Sequence, residues 1–294
     1  MSFFEPGFNF MRLPDELATY ENSYFVLLSS AYDGTTSYVP GTRKGPMAII
    51  EASKNIEWYD MEIDKNASEL GIYTSPQIEV NTSGPDFNTE NVYKATASLI
   101  NREKFVIGLG GEHSVSWGYI KAHKELYGDF SILHFDAHSD VRLEWEGAEQ
   151  SHACVIKNTY NNGLKNIVSV GIRSMDIEEK YFLDNSSIVT IPAWEVHQNF
   201  EKSVQKIVEN LKNDKVYITF DVDVFDISQL WDTGTPEPGG LFWNQIIHIL
   251  KTVFESKNVI GADVVELIGN EPSNASTIAK LVYRIMGYKL CQKN

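Results

Sequence analysis

The sequence predicts an α/β fold: one three-layer α/β/α domain around a mostly parallel, doubly wound sheet. Two observations predict it. Short apolar runs rich in β-branched residues alternate with longer segments of helical periodicity along most of the chain, the signature of strand and helix crossovers. Three of those runs lead into acidic residues or histidine, and open parallel sheets bind ligands beyond the carboxyl ends of their strands. At 294 residues with 43% hydrophobic content the chain can bury one large core. No internal repeat, low-complexity tract or linker divides it.

Residues 1–22 are irregular, with Gly7, Pro14 and scattered aromatics, and read as an N-terminal arm or lid. Residues 24–28 form the first strand. The turn-rich loop that follows ends at Pro46, which suits the first turn of a helix running to about residue 53. A short strand is expected at 70–73 and a helix at 89–101, capped by Thr89 or Asn88. A strand at 105–109 and a helix at 114–127 come next. Further strands are expected at 130–135, 167–171, 188–191, 216–220 and 259–265, with helices at 201–211, 243–254 and 276–286.

Composition excludes several classes of partner. The net charge is −15, from 25 basic and 40 acidic residues without a basic block, so nucleic acid and anionic membrane surfaces are poor partners. A negative field favours metal cations and a small cationic substrate. No apolar run is long enough to span a membrane and no signal peptide opens the chain, so a cytoplasmic protein is expected. Cys154 and Cys291 form no CxxC pair, and both read as buried small hydrophobes.

The chemistry gathers at three strand ends. The run 130–135 leads into Asp136, His138 and Asp140, separated by Ala137 and Ser139, and strand alternation would aim all three alike. The run 216–220 leads into Asp221 and Asp223. The run 105–109 leads through Gly110, Gly111 and Glu112 to His113. Buried carboxylates without compensation cost several kcal/mol each, roughly, so their joint occurrence needs cations. One divalent ion cannot use four Asp and two His and still leave room for substrate. Two can, if Asp136 and Asp221 bridge them, and a two-metal hydrolase follows.

Together, Gly110-Gly111-Glu112-His113-Ser114, Asp136-Ala137-His138-Ser139-Asp140, Ser151-His152-Ala153-Cys154-Val155, Phe220-Asp221-Val222-Asp223 and Asp263-Val264-Val265-Glu266 resemble the ordered motifs of the ureohydrolases, the arginase and agmatinase family. The resemblance runs from the strand at Phe25 to the last helix and implies an arginase-like fold. It also implies two Mn²⁺ per subunit, one held by His113, Asp136, Asp140 and Asp221, the other by Asp136, His138, Asp221 and Asp223. A hydroxide bridging the ions would attack a guanidinium carbon. In this scheme Glu266 holds the guanidinium N–H groups, Asp140 passes the hydroxide proton to the leaving amine, and His152 assists proton delivery beside the substrate. Glu112 is expected to orient the ligands, and His134 to be a hydrogen-bonded core residue pointing away from the metals. A homo-oligomer, trimer or hexamer, is implied by the same resemblance.

For the substrate, the loop after Asp140 carries Glu144, Glu146 and Glu149, a poor setting for a carboxylate and a tolerable one for an ammonium. Asp140-Val141-Arg142 and Glu146-Gly147 also resemble agmatinase more than arginase. The expected reaction is agmatine to putrescine and urea, a step of polyamine biosynthesis. The chain departs from the family pattern at Ile227, where proline is usual, and at Trp231-Asp232, where Pro-Gly is usual. Trp231 and Asp232, like Glu144, are therefore expected to contact the substrate. The alternatives are guanidinobutyrase, arginase, formimidoglutamase or guanidine hydrolase on the same centre, or a non-catalytic, metal-dependent polyamine-binding protein.

Overall fold

The computed structural model describes residues 8–293. Its strands are Phe25–Ser30 (β1), Ile72–Thr74 (β2), Phe105–Gly110 (β3), Ser131–Phe135 (β4), Ile167–Ile172 (β5), Val189–Pro192 (β6), Lys215–Asp221 (β7) and Asn258–Val265 (β8). They form one sheet in the order β2-β1-β3-β8-β7-β4-β5-β6, and every pairing is parallel. The helices are Gly45–Ser53 (α1), Pro85–Leu99 (α2), Ser116–Tyr127 (α3), Val155–Asn161 (α4), Ile177–Asp184 (α5), Ala193–Gln198 (α6), Phe200–Asn210 (α7), Trp243–Ser256 (α8) and Pro272–Lys293 (α9).

Alternation along each strand builds two cores, one on each face of the sheet. In β1, Phe25 and Leu27 enter one cluster and Val26 and Leu28 the other; in β7, Val216, Ile218 and Phe220 oppose Tyr217 in the same way. Residues of α1, α7, α8 and α9 cover the first face, and residues of α2, α3 and α4 the second. This is the three-layer arrangement expected. Register then fixes where the site lies. Leu109, Val264, Phe220 and Phe135 pair across β3, β8, β7 and β4 as one level row. The residues just past that row on β7 and β4 are Asp221 and Asp136.

Strand positions agree with expectation to within about two residues, and helices differ more. α2 begins four residues earlier than the expected Thr89, with Pro85 in its first turn, and Asn88 does not cap it: its side-chain Oδ1 accepts the Asn81 N–H at 3.3 Å. α4, α5 and α6 were not anticipated, since six to eight residues are too few to establish a helical period. Residues 1–7 of the expected arm lie outside the described residues. The rest of it is packed down, with Phe10, Met11 and Leu13 buried and the Met11 N–H bonded to Ser53 Oγ at 2.8 Å. Cys154 is buried, but Cys291 is exposed, contrary to expectation. No helix among the described residues is long and apolar enough to cross a membrane.

Candidate metal centre

Each acidic or imidazole group is delivered by a local device at a strand end. After β3 the chain crosses close under the loop that follows β1. A Cβ on Gly111 would lie 1.9 Å from the Tyr32 carbonyl oxygen, so only glycine fits there. The chain then turns through a short 3₁₀ segment that begins at His113 and leads into α3. After β7, another 3₁₀ turn brings Asp223 back, with its N–H bonded to Asp221 Oδ1 at 2.8 Å. After β4, strand geometry stops at Phe135, so alternation is not what gathers the three ligands. Asp140 sits in the left-handed region at φ 53°, an uncommon conformation for a residue with a side chain.

The groups converge. His113 Nδ1 lies 3.1 Å from Asp136 Oδ2, 3.0 Å from Asp140 Oδ2 and 3.4 Å from Asp221 Oδ2. His138 Nδ1 lies 2.9 Å from Asp223 Oδ2 and 3.5 Å from Asp136 Oδ1. Two ligand clusters therefore share Asp136.

The proton inventory of His113 tests whether a cation fits. Its Nε2 is 2.9 Å from Thr219 Oγ1, and that hydroxyl donates to Asp263 Oδ1 at 2.8 Å. Asp263 is fully buried and also accepts from Ser116 Oγ and Tyr217 OH. The threonine oxygen can then only accept, so Nε2 carries the hydrogen and Nδ1 a lone pair. That lone pair is buried, has no hydrogen-bond partner and faces three carboxylates. Such an arrangement is repulsive alone and suits a divalent cation, with Thr219 and Asp263 orienting the ligand.

Electrostatics agree. Burial works against a charged His113, but the surrounding carboxylates outweigh it and raise its pKa well above the histidine range, so without a cation a proton takes the Nδ1 lone pair, and a metal ion would displace that proton. His138 is driven to about 12: burial opposes, and Asp223 and Asp136 prevail. Burial, then Asp136, lifts Asp140 to about 7, and burial with Asp223 and Asp136 lifts Asp221 far above the carboxylate range. Asp136 goes the other way, because its histidine neighbours overcome its burial. The cluster holds more negative charge than its two histidines can balance, which is the donor chemistry of a cation site.

Two neighbours differ from expectation. His134 does not point away: its Nε2 lies 2.8 Å from Asp136 Oδ2 while Nδ1 meets Ser169 Oγ at 3.0 Å. Glu112 does not bond to the His113 ring. Its carboxylate accepts from Thr35 N, Thr35 Oγ1 and Ser114 Oγ, each at 2.6 Å, and burial lifts its pKa to about 7.

A cavity of about 280 Å³ opens above the cluster, lined by His113, His138, Asp140, Asp221, His152 and Glu266. Glu266 follows β8 with φ 67° and accepts the His113 N–H on Oε1 at 2.7 Å. Burial, then Glu112, raises its pKa well above the ordinary range. His152 is held near 4 by burial and by His113 and His138, so its ring is neutral.

The cavity wall also holds Arg142 and Trp145, from the loop after Asp140, together with Asp176 and Glu179, which sequence reasoning missed. Asp176 and Glu179 form the capping box of α5, and the Asp-x-x-Glu spacing was the available signal. Arg142 pairs with Asp176 at 2.5 Å and lies over the Trp145 ring. Three expected substrate contacts are absent from the cavity lining. Glu144 is exposed, because its loop turns its glutamates outward. Trp231 is half exposed. Asp232 is buried beneath the start of α9, where Oδ2 accepts the Glu271 N–H at 2.8 Å.

Fold and site thus define a class of protein, a doubly wound parallel α/β sheet whose carboxyl edge carries a ligand cluster suited to divalent cations. The sequence profile of the arginase family matches residues 23–288. An N(1)-aminopropylagmatine ureohydrolase of Thermus thermophilus is 35% identical over 273 residues, 92% of each chain. An agmatinase of Pyrococcus horikoshii is 35% identical, covering 90% of this chain and 91% of its own. The crystal structure of the agmatine ureohydrolase of Thermoplasma volcanium superposes with a TM-score of 0.85 at 27% identity, covering 94% of this chain and 93% of that one. The chain belongs to the arginase family and is an agmatinase-like ureohydrolase.

Proposed function

We propose that this enzyme hydrolyses agmatine to putrescine and urea, using two Mn²⁺ per subunit held by His113, Asp136, Asp140 and Asp221 and by Asp136, His138, Asp221 and Asp223. The observation that carries the proposal is the cavity itself. Carboxylates line it from strands that β7 and β4 separate, Glu266 after β8 and Asp176 with Glu179 after β5, and Arg142, the one lysine or arginine lining it, is already paired. A molecule with a cation at each end fits this distribution, and a substrate ending in a carboxylate does not. The divalent pair, when bound, supplies a water-derived nucleophile at neutral pH.

The protein supplies the rest. Glu266 Oε1 is engaged by the His113 N–H, so Oε2 is left for a charge-assisted bond to the guanidinium. Asp140 takes a proton from the nucleophile and passes it to the departing nitrogen, and His152 exchanges protons with the cavity. Asp176 and Glu179 receive the ammonium end, competing with Arg142. Unpaired cysteines accord with a cytoplasmic location, and we propose a homo-oligomer, as the sequence resemblance implies.

The longer N(1)-aminopropylagmatine is the second reading. The wall carboxylates could meet its added ammonium, and curated relatives carry that activity in their names. Urea release from the manganese-loaded enzyme decides, with agmatine, N(1)-aminopropylagmatine, arginine, 4-guanidinobutyrate and guanidine offered in parallel. Agmatine should give the highest kcat/KM. A preference for the aminopropyl compound would keep the mechanism and change the substrate. A preference for arginine or 4-guanidinobutyrate would overturn the role given to the acidic wall.

A further inference from the structure

Beneath the loop that follows β1 lies a hydrogen-bond chain that touches neither the metal ligands' donor atoms nor the cavity's acidic wall. It starts at Glu112, which is fully buried. Its Oε1 receives the hydroxyls of Thr35 and Ser114, and its Oε2 the backbone N–H of Thr35, each at 2.6 Å. A hydroxyl has one hydrogen, and that of Thr35 goes to Glu112. Toward His152, Thr35 Oγ1 can therefore only accept.

It accepts twice. The backbone N–H of His152 lies 3.2 Å away and ring Nδ1 lies 3.3 Å away. Nδ1 is thereby the protonated nitrogen and Nε2 bears the lone pair. Ser37 Oγ stands 2.8 Å from Nε2 and can donate to it. Ser37 and His152 both face the cavity, beside Asp140 and Glu266. The loop carrying Thr35 and Ser37 is itself pinned to the end of β3, by Gly111 N–H to Ser30 O at 2.7 Å and Glu112 N–H to Tyr32 O at 2.8 Å.

We propose that Glu112 and Thr35 are positioning residues that fix the tautomer of His152, presenting bare Nε2 to Ser37 and the cavity. The proposal rests on the reading of His152 as the group that exchanges protons at this site. Protons then enter and leave the ring by way of Ser37 Oγ. The hydroxyl gives its hydrogen to Nε2 as it takes one from the cavity, and the reverse exchange returns it, with no net change in either residue. The segment that delivers His113 to the metals thus also sets the protonation geometry of the histidine across the cavity.

The test is a double-mutant cycle with urea release as the assay. Thr35→Val and Thr35→Ser are made alone and on a His152→Asn background, with metal content and melting temperature measured on each. Thr35→Val should lower kcat by about 10-fold or more, part of the roughly 10²–10⁴ typical of positioned acid–base groups. KM should stay within about two-fold, and both metals should remain. Thr35→Ser should restore the rate, and on the His152→Asn background Thr35→Val should cost nothing further. An equal loss with and without His152, or no loss at all, overturns the proposal. If His152→Asn alone turns over normally, the role given to His152 fails instead, and the proposal with it. A second arm needs no turnover: imidazole ¹⁵N shifts of the zinc-loaded protein, with His152 assigned by its loss in His152→Asn. They should show hydrogen on Nδ1, and a ring protonated at Nε2 overturns the proposal.

Discussion

Single residues in this protein do opposite things with the same chemistry, and burial with partners decides which. His113 offers a bare Nδ1 to three carboxylates. His123, equally buried on α3, donates from Nδ1 to the Tyr119 carbonyl at 2.8 Å and leaves Nε2 without a partner. It packs edge-on against Tyr217, in space that Gly261 leaves by lacking a Cβ. Burial drives its pKa down to about 4. A histidine depressed from about 6.5 in the unfolded chain to about 4 contributes full stability above pH 6.5, and loses it as pH falls toward 4. The loss is roughly 3 kcal/mol across that window. In His123→Leu, urea melts between pH 7 and 4 should lack that part of the acid destabilisation. At the centre, Asp136→Ala should abolish stoichiometric binding of both metals, read by elemental analysis. Glu266→Gln should keep both and lower kcat/KM by about 10- to 100-fold, the worth of one charge-assisted hydrogen bond.

At the scale of elements, legibility followed length and apolar continuity. β3, β4, β7 and β8 could be read because each is a short, mostly apolar run rich in β-branched or aromatic residues, and the residues that follow β4 and that close or follow β7 gave Asp136, His138, Asp221 and Asp223. Asp136, His138 and Asp140 were named for a strand alternation that stops at Phe135, and Asp140 takes its place through its own left-handed conformation. The acidic wall was illegible for a different reason. Asp176 and Glu179 follow β5, whose place beside β4 is set by the strand order, so sequence proximity to Asp140 points instead to the glutamates at 144, 146 and 149. Asp232 shows the same limit, since its partner Glu271 is 39 residues away. Asp232→Ala should destabilise the fold by about 1 kcal/mol by leaving the Glu271 N–H before α9 without its acceptor, with KM unchanged. Thermal melts beside substrate titrations check this, and a raised KM would return Asp232 to the substrate.

Taken as a whole, the molecule places its chemistry where four strands meet, and the order β3-β8-β7-β4 has a consequence for how the chain is made. β8 slots between β3 and β7, yet it is the last strand in sequence. Until it emerges from the ribosome, two blocks of strands wait with open inner edges, and unpaired edges invite pairing with other chains. Chains ending before Asn258 should therefore aggregate on synthesis, seen by light scattering and pelleting, whereas loss of only the final turn of α9 should be tolerated. Because Glu266 follows β8 immediately, the same late insertion leaves the cavity above the cluster without one of its lining carboxylates until the sheet is closed.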